Sequence, residues 1–193
     1  MNLKELNPPI TELPAHQIWH RVQRRTVRPD SVQINGFVLA PPGVLAGRFD
    51  LSSEAIAYLG DSPETALYES LFRREVRSCH WDRLQQRVLT SFETLQGLRL
   101  ADLRGLEERY PVLQSLRYES AQQFALDCRQ QDLDGIFYAS AQHAYHGCIC
   151  LFKSGIEKTK RVSSVPLVKS GAEQLHKAVV VAVLGSQVPI LRE

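Results

Sequence analysis

The sequence predicts an α+β fold, with mixed sheets and flanking helices, on three observations. Strand-like and helix-like periods alternate irregularly rather than in βαβ order. The later strand candidates follow one another with short links, and neither a GxGxxG after a strand nor a GxxxxGK[ST] occurs. At 193 residues the chain has the length of one domain, and a composition of 44% hydrophobic and 23% charged residues excludes disordered and collagen-like classes.

Residues 1–17 carry Pro8, Pro9 and Pro14 with little periodicity and read as an arm across the surface or a partner. The domain begins near Ile18, where IWHRVQ alternates like a strand and sets Arg21 beside Trp19 on one face. NGFVLAPPGVLAGRFD mixes Gly36, Pro41, Pro42, Gly43 and Gly47, the composition of a long functional loop. AIAYLG fits a strand ending at Gly60. DSPETALYESLFRREVR then opens a helix: Ser62 caps it, Pro63 occupies the first position, where no backbone donor is needed, and Glu64 complements the positive end. Ala66, Leu67, Ser70 and Leu71 form its apolar or small face, which leaves Glu69 roughly 130° from the centre of that face.

RVLTSFETL and LRLADL read as strands, and Tyr118 to Arg129 reads as a helix with its apolar face at 118, 121, 125 and 128. Asp134-Gly135 marks a turn before two strands, IFYAS and GCICLF, joined by a polar loop with two histidines. KRVSSVPLV and AVVVAVL add strand-like runs, and no internal repeat or low-complexity segment is visible.

Charge is balanced, 23 Lys+Arg against 21 Asp+Glu, so any anion site is local. In HRVQRRTVRPD, Arg21, Arg24, Arg25 and Arg28 could contact phosphates, although the ordinary reading of such a run is a solvated strand edge and loop. The start lacks an apolar h-region and no run approaches the ~18 apolar residues of a membrane span, so a cytoplasmic protein without membrane attachment is expected. Cys79, Cys128, Cys148 and Cys150 form no CxxC and are expected to be reduced. None of the six histidines sits in HExxH, and His143 and His146 lack a partner at ligand spacing, so no metal is expected.

Arg48, on a turn relaxed by Gly47, suits bidentate binding of phosphate or pyrophosphate; Tyr58 closes a strand with a flat ring, and Glu69 follows on the next helix. Singly, Arg48 also reads as a surface ion pair, Tyr58 as core packing and Glu69 as a solvated helix residue. Together an anion-binding Arg, a stacking ring and a carboxylate are the parts needed to break a glycosidic bond whose departing base is cationic.

The ordered set His20-Arg21-Val22, Gly47-Arg48-Phe49-Asp50, Ala57-Tyr58-Leu59 with Asp61-Ser62-Pro63, Ala66-Leu67-Tyr68-Glu69, Leu100-Ala101-Asp102-Leu103 and Asp134 through Ser140 to Leu151-Phe152 resembles the RES-domain family. The family is named for Arg, Glu and Ser residues and is known mainly as toxins of bacterial toxin-antitoxin operons. The resemblance covers about 18–155 within a domain of 18–193. It implies a fold related to ADP-ribosyltransferases of the diphtheria-toxin type and cleavage of NAD+ at the nicotinamide-ribose bond, with water or inorganic phosphate as acceptor. NAD+ is then substrate, with no bound cofactor. The implied partner is a helix-turn-helix, Xre-like antitoxin, with DNA reached only through it. On matching positions Arg21 and Arg48 hold phosphates, Tyr58 stacks near the nicotinamide or ribose, Glu69 stabilises the ribosyl cation and Ser140 completes the pocket. The family often has Gly before the Arg and Trp-Asn after it, where Ala46, Phe49 and Asp50 stand here. Phe49 keeps an aromatic wall, whereas Asp50 sets a negative charge against phosphate affinity. Transfer of ADP-ribose to a protein or nucleic acid, and a non-catalytic nucleic-acid or partner-binding module, are the alternatives.

Overall fold

The computed structural model describes residues 6–115, 117–169 and 174–192. The first five residues of the N-terminal arm thus lie outside it. In chain order the elements are β1 (Ile10–Leu13), β2 (Ile18–Arg24), β3 (Val32–Ile34), β4 (Phe37–Leu39), β5 (Ala57–Gly60), α1 (Pro63–Ser70), β6 (Cys79–His80), α2 (Trp81–Gln85), β7 (Arg87–Thr94) and β8 (Leu98–Asp102). They continue with α3 (Glu119–Gln130), β9 (Gly135–Ala139), β10 (Gly147–Leu151), α4 (Lys153–Glu157), β11 (Thr159–Pro166), β12 (Val168–Lys169), β13 (Gln174–Leu175), α5 (Lys177–Ser186) and β14 (Ile190–Leu191). This is the mixed α+β architecture expected.

Eight strands form one sheet in the order β1-β8-β9-β10-β5-β2-β7-β11. Only β8 and β9 run parallel within it; the other neighbours are antiparallel. Side chains alternate across a pleated strand, so each strand serves both faces. On one face Ile136, Cys150 and Ala101 pack under Phe124 and Ala125 of α3. Further along that face Leu89 and Val22 pack with Leu67 of α1 and Val179 of α5. The opposite face holds Trp19, Leu59, Phe92 and Ile149, covered by Phe37 and Leu39 of the β3–β4 hairpin and Ile156 of α4. Phe37 and Phe92 stack with ring centroids 3.6 Å apart.

Three segments differ from the sequence reading. AVVVAVL is helix rather than strand: the His176 ring accepts the Ala178 N–H at its N-cap, and Val179 and Ala182 are buried against α1. Packing there overrides the strand preference of β-branched residues. Ile10–Leu13, inside the Pro-rich arm, is an edge strand beside β8. The stretch that reads as a loop from Gly36 begins as a hairpin, because Phe37 and Leu39 point into the core.

The two helix-covered patches on the first face are separated where β5 meets β2. These neighbours share a single ladder pair, His20 with Gly60, whereas β2 pairs with β7 along all of Ile18 to Arg24. Beyond His20 the sheet has opened.

Candidate active site

Helix α1 begins as its sequence dictates. Ser62 Oγ accepts the Thr65 N–H at 3.1 Å and Pro63 follows, a cap worth about 1 kcal/mol. A Cβ on Gly60 would meet the Ala66 backbone nitrogen at 2.8 Å, so glycine is what lets α1 lie this close to β5. Glu69 consequently sits on the last turn of α1, facing the β9–β10 loop. Its Oε1 accepts the Ser140 hydroxyl at 2.5 Å and the Gln142 N–H at 3.4 Å.

Ser140 anchors that loop. Its hydroxyl oxygen accepts the N–H groups of Gln142 and His143 at 3.2 and 2.9 Å, and its own N–H bonds the His146 carbonyl at 2.8 Å. Behind the loop, Asp61 accepts the Gly147 N–H at 2.7 Å, the Thr65 hydroxyl at 2.9 Å and the His146 Nδ1 at 2.9 Å. Burial alone would raise its pKa, but the Gly147 N–H, the His146 ring and the Thr65 hydroxyl together hold it below the usual aspartate value. Because the one Thr65 hydroxyl proton goes to Asp61, His143 Nδ1, 2.8 Å away, donates to Thr65. The His143 and His146 rings stack at 3.7 Å, nearly parallel at 8°. These two histidines thus brace a loop; among the described residues no group of three or more His, Cys, Asp or Glu is placed to hold a metal ion.

The Arg48 turn is built just as tightly. Asp50 accepts the Gly47 N–H at 2.6 Å on one oxygen and the Tyr58 hydroxyl at 2.8 Å on the other, while the Tyr58 oxygen accepts the Phe49 N–H at 2.8 Å. A Cβ on Gly47 would meet both Asp50 Oδ1 and the Tyr58 hydroxyl oxygen at 2.6 Å. Gln122 of α3 adds a bond to the Gly47 carbonyl at 3.0 Å. Asp50, expected only as a charge opposing phosphate, is therefore the buckle of the turn, with both oxygens engaged. Arg48 projects partly exposed, making no ion pair or hydrogen bond among the described residues.

Arg21 shares a face of β2 with Trp19, two residues before it. Trp19 packs edge-on to Phe137 at 5.6 Å, while the Arg21 guanidinium turns into the opening between β2 and β5 and donates from Nη1 to the Tyr58 carbonyl at 2.9 Å. Strand β2 has lost β5 as a ladder partner there, which frees the space. Arg21 Nε is buried with no partner, and burial draws the guanidinium pKa below its ordinary value, against the opposing influence of Tyr58 and Asp50.

Sequence reasoning did not single out Tyr138, which links the two halves. Burial, then Cys148 and Glu69, push its hydroxyl pKa well up, while Arg48 draws it down. Its ring lies 5.2 Å from that of Phe49. The signal was strand alternation: Tyr138 stands two residues before Ser140 and shares its face. Arg48, Tyr58 and Glu69 are thus each linked electrostatically to Tyr138, Glu69 holds the Ser140 hydroxyl, and Arg21 reaches the Tyr58 carbonyl. A cavity of about 60 Å³ lies elsewhere, between Asn7, Pro8, Phe124 and Asp127, and is too small for a nucleotide.

The family model described as RES domain matches residues 18–170. Among solved structures, the chain is similar to a chain in the crystal structure of the M. tuberculosis MbcT-MbcA toxin-antitoxin complex, with a TM-score of 0.60 and 14% identity over 81% of this chain and 86% of that one. No curated protein matches the sequence.

Proposed function

Since the chain belongs to the RES-domain family, we propose that it is the toxin of a toxin-antitoxin pair and depletes NAD+ by cleaving the nicotinamide-ribose bond. The observation that carries this reading is a tethered carboxylate, Glu69, and the guanidinium of Arg48, both close enough to act on the Tyr138 hydroxyl, next to a half-buried Arg21; neither arginine has an ion pair among the described residues. Fixed cations opposite a fixed anion suit a ligand with a phosphate at one end and a developing cation at the other.

In the reaction the bond from ribose C1′ to the pyridinium nitrogen breaks, and its electron pair stays on nitrogen. Nicotinamide leaves neutral, so no general acid is needed. Positive charge gathers on the ribose, where Glu69 stabilises it; Ser140 and the Gln142 N–H hold that carboxylate in place. An oxygen of water or inorganic phosphate then bonds to C1′, and the displaced proton passes to solvent. Arg21 and Arg48 orient the pyrophosphate, so that the acceptor attacks in line. Tyr58 lends its ring to the nicotinamide-ribose end while its hydroxyl fixes the Arg48 turn. The partner is a helix-turn-helix antitoxin that covers the crevice or its entrance, a reading supported by the toxin-antitoxin complex in which the similar fold was solved.

Incubation of purified protein with NAD+, with and without inorganic phosphate, is expected to release nicotinamide, and the ribose product identifies the acceptor. An intact NAD+ pool in the presence of folded protein overturns the proposal.

A further inference from the structure

The gap between β2 and β5 has an open end. Past the single pair His20–Gly60 the strands part toward Arg24, and there Arg24 stands directly opposite Arg87 on β7. Like charges in that position destabilise a sheet. The Arg25 N–H bonds the Gln86 carbonyl at 2.9 Å, which folds the segment carrying Arg28 onto the end of α2, where Arg83 lies. Arg24, Arg83 and Arg28 all act on Arg87 electrostatically, and Arg87 acts in turn on Arg21. Among the described residues none of these four side chains makes an ion pair or hydrogen bond. In a chain of net charge +2, such an uncompensated group is local and specific to this end of the crevice.

We propose that Arg24, Arg28, Arg83 and Arg87 form a phosphate-binding entrance, which collects phosphate-bearing anions from solvent and holds them before Arg21. The proposal rests on the reading above for what the crevice finally takes. The four guanidiniums come from β2, the loop after it, α2 and β7, and three of them act on the fourth, Arg87, instead of lying along one strand or helix. That arrangement suits a compact, multiply charged group better than an extended polymer backbone. The shared chemistry covers the pyrophosphate of a dinucleotide and free inorganic phosphate.

The test compares the parent with R24Q, R28Q and the double variant, using R99Q on β8, across the sheet, as a control that also removes one exposed charge. Relief of the like-charge pair keeps the thermal midpoint of the variants at or above that of the parent. In about 20 mM salt kcat/KM for nicotinamide release falls about tenfold in the double variant, and in about 500 mM salt the difference shrinks to within about twofold. R99Q follows the parent. Calorimetric titration with inorganic pyrophosphate and with orthophosphate requires no turnover: the double variant binds pyrophosphate about fivefold or more weakly. Weakening of pyrophosphate alone assigns the entrance to the dinucleotide; weakening of orthophosphate as well assigns it also to free phosphate. Equal binding of both probes by parent and double variant, or an equal loss in R99Q, overturns the proposal. If pyrophosphate binding weakens but the parent releases no nicotinamide, the NAD+ reading fails and the entrance stands.

Discussion

On the side of the candidate site built by the Gly47–Asp50 turn, β5, α1 and the β9–β10 loop, the carboxylates are tied down: Asp61 by three donors, Asp50 by two, Glu69 by two. On the side built by β2 and β7, Arg21, Arg24 and Arg87 have no ion pair among the described residues, and Arg21 Nε is buried with no hydrogen-bond partner among them. Drawing a guanidinium part-way out of water without a counter-charge costs free energy, so a fold that satisfies its anions and leaves its cations open is matched to an anionic ligand. The carboxylate wall supports itself, and the guanidinium wall waits for a phosphate.

The largest expected effect tests the anionic wall where it meets substrate. Glu69→Gln keeps an acceptor for Ser140 but loses the charge, and is expected to slow nicotinamide release by about 100- to 1000-fold, with a thermal midpoint near that of the parent. Comparable turnover in the variant would break the contrast at its centre. Next comes Asp61→Ala, which strips partners from the Gly147 N–H and the Thr65 hydroxyl and should cost about 1–3 kcal/mol of stability in denaturant titration. Arg21→Met sharpens the comparison from the other wall. It is expected to lower kcat/KM for NAD+ at least tenfold while changing stability by only about 1 kcal/mol, because the lost bond to the Tyr58 carbonyl is offset by relief of a partly desolvated charge.

Much of this was legible in the sequence where a local rule decides the outcome. Ser62, Pro63 and Glu64 announce the start of α1, alternation marks β2, and short apolar runs beside turn residues mark β5, β9 and β10. AVVVAVL was misread because a short run of β-branched residues carries no period, and only its burial against α1 makes it helix. Glu69, Arg48 and Ser140 entered through family resemblance and spacing, but spacing gave no contacts. The opening of the sheet at His20–Gly60, and with it the direction of Arg21 and the facing of Arg24 by Arg87, depends on strand order. Strand order is set by long-range pairing, which no local window contains. Asp50 illustrates the same limit: its charge was readable, yet its role as the buckle between Gly47 and Tyr58 required both partners in place.

The smallest expected effect concerns how the anionic wall is braced. Burial, with His146 stacked on its face, draws the His143 pKa below the ordinary histidine value of 6.5, against the opposing pull of Asp61 and Glu64. A histidine whose folded pKa is lowered binds its proton more readily in the unfolded chain. Its contribution to stability is therefore present above pH 6.5 and is lost as pH falls from there through the folded value. His20 and His176, also lowered by burial, act in the same window, so the test is a difference. The thermal midpoint of the parent should fall between pH 7 and pH 5, and His143→Gln, which can still donate to Thr65, should flatten that slope without abolishing it. Asp61 adds its own loss only at lower pH, because its carboxyl is held below the usual aspartate value and its contribution disappears as pH falls through the folded pKa. Parallel slopes in parent and variant between pH 7 and pH 5 would remove His143 from the brace and leave Asp61 alone to hold the loop that presents Ser140 to Glu69.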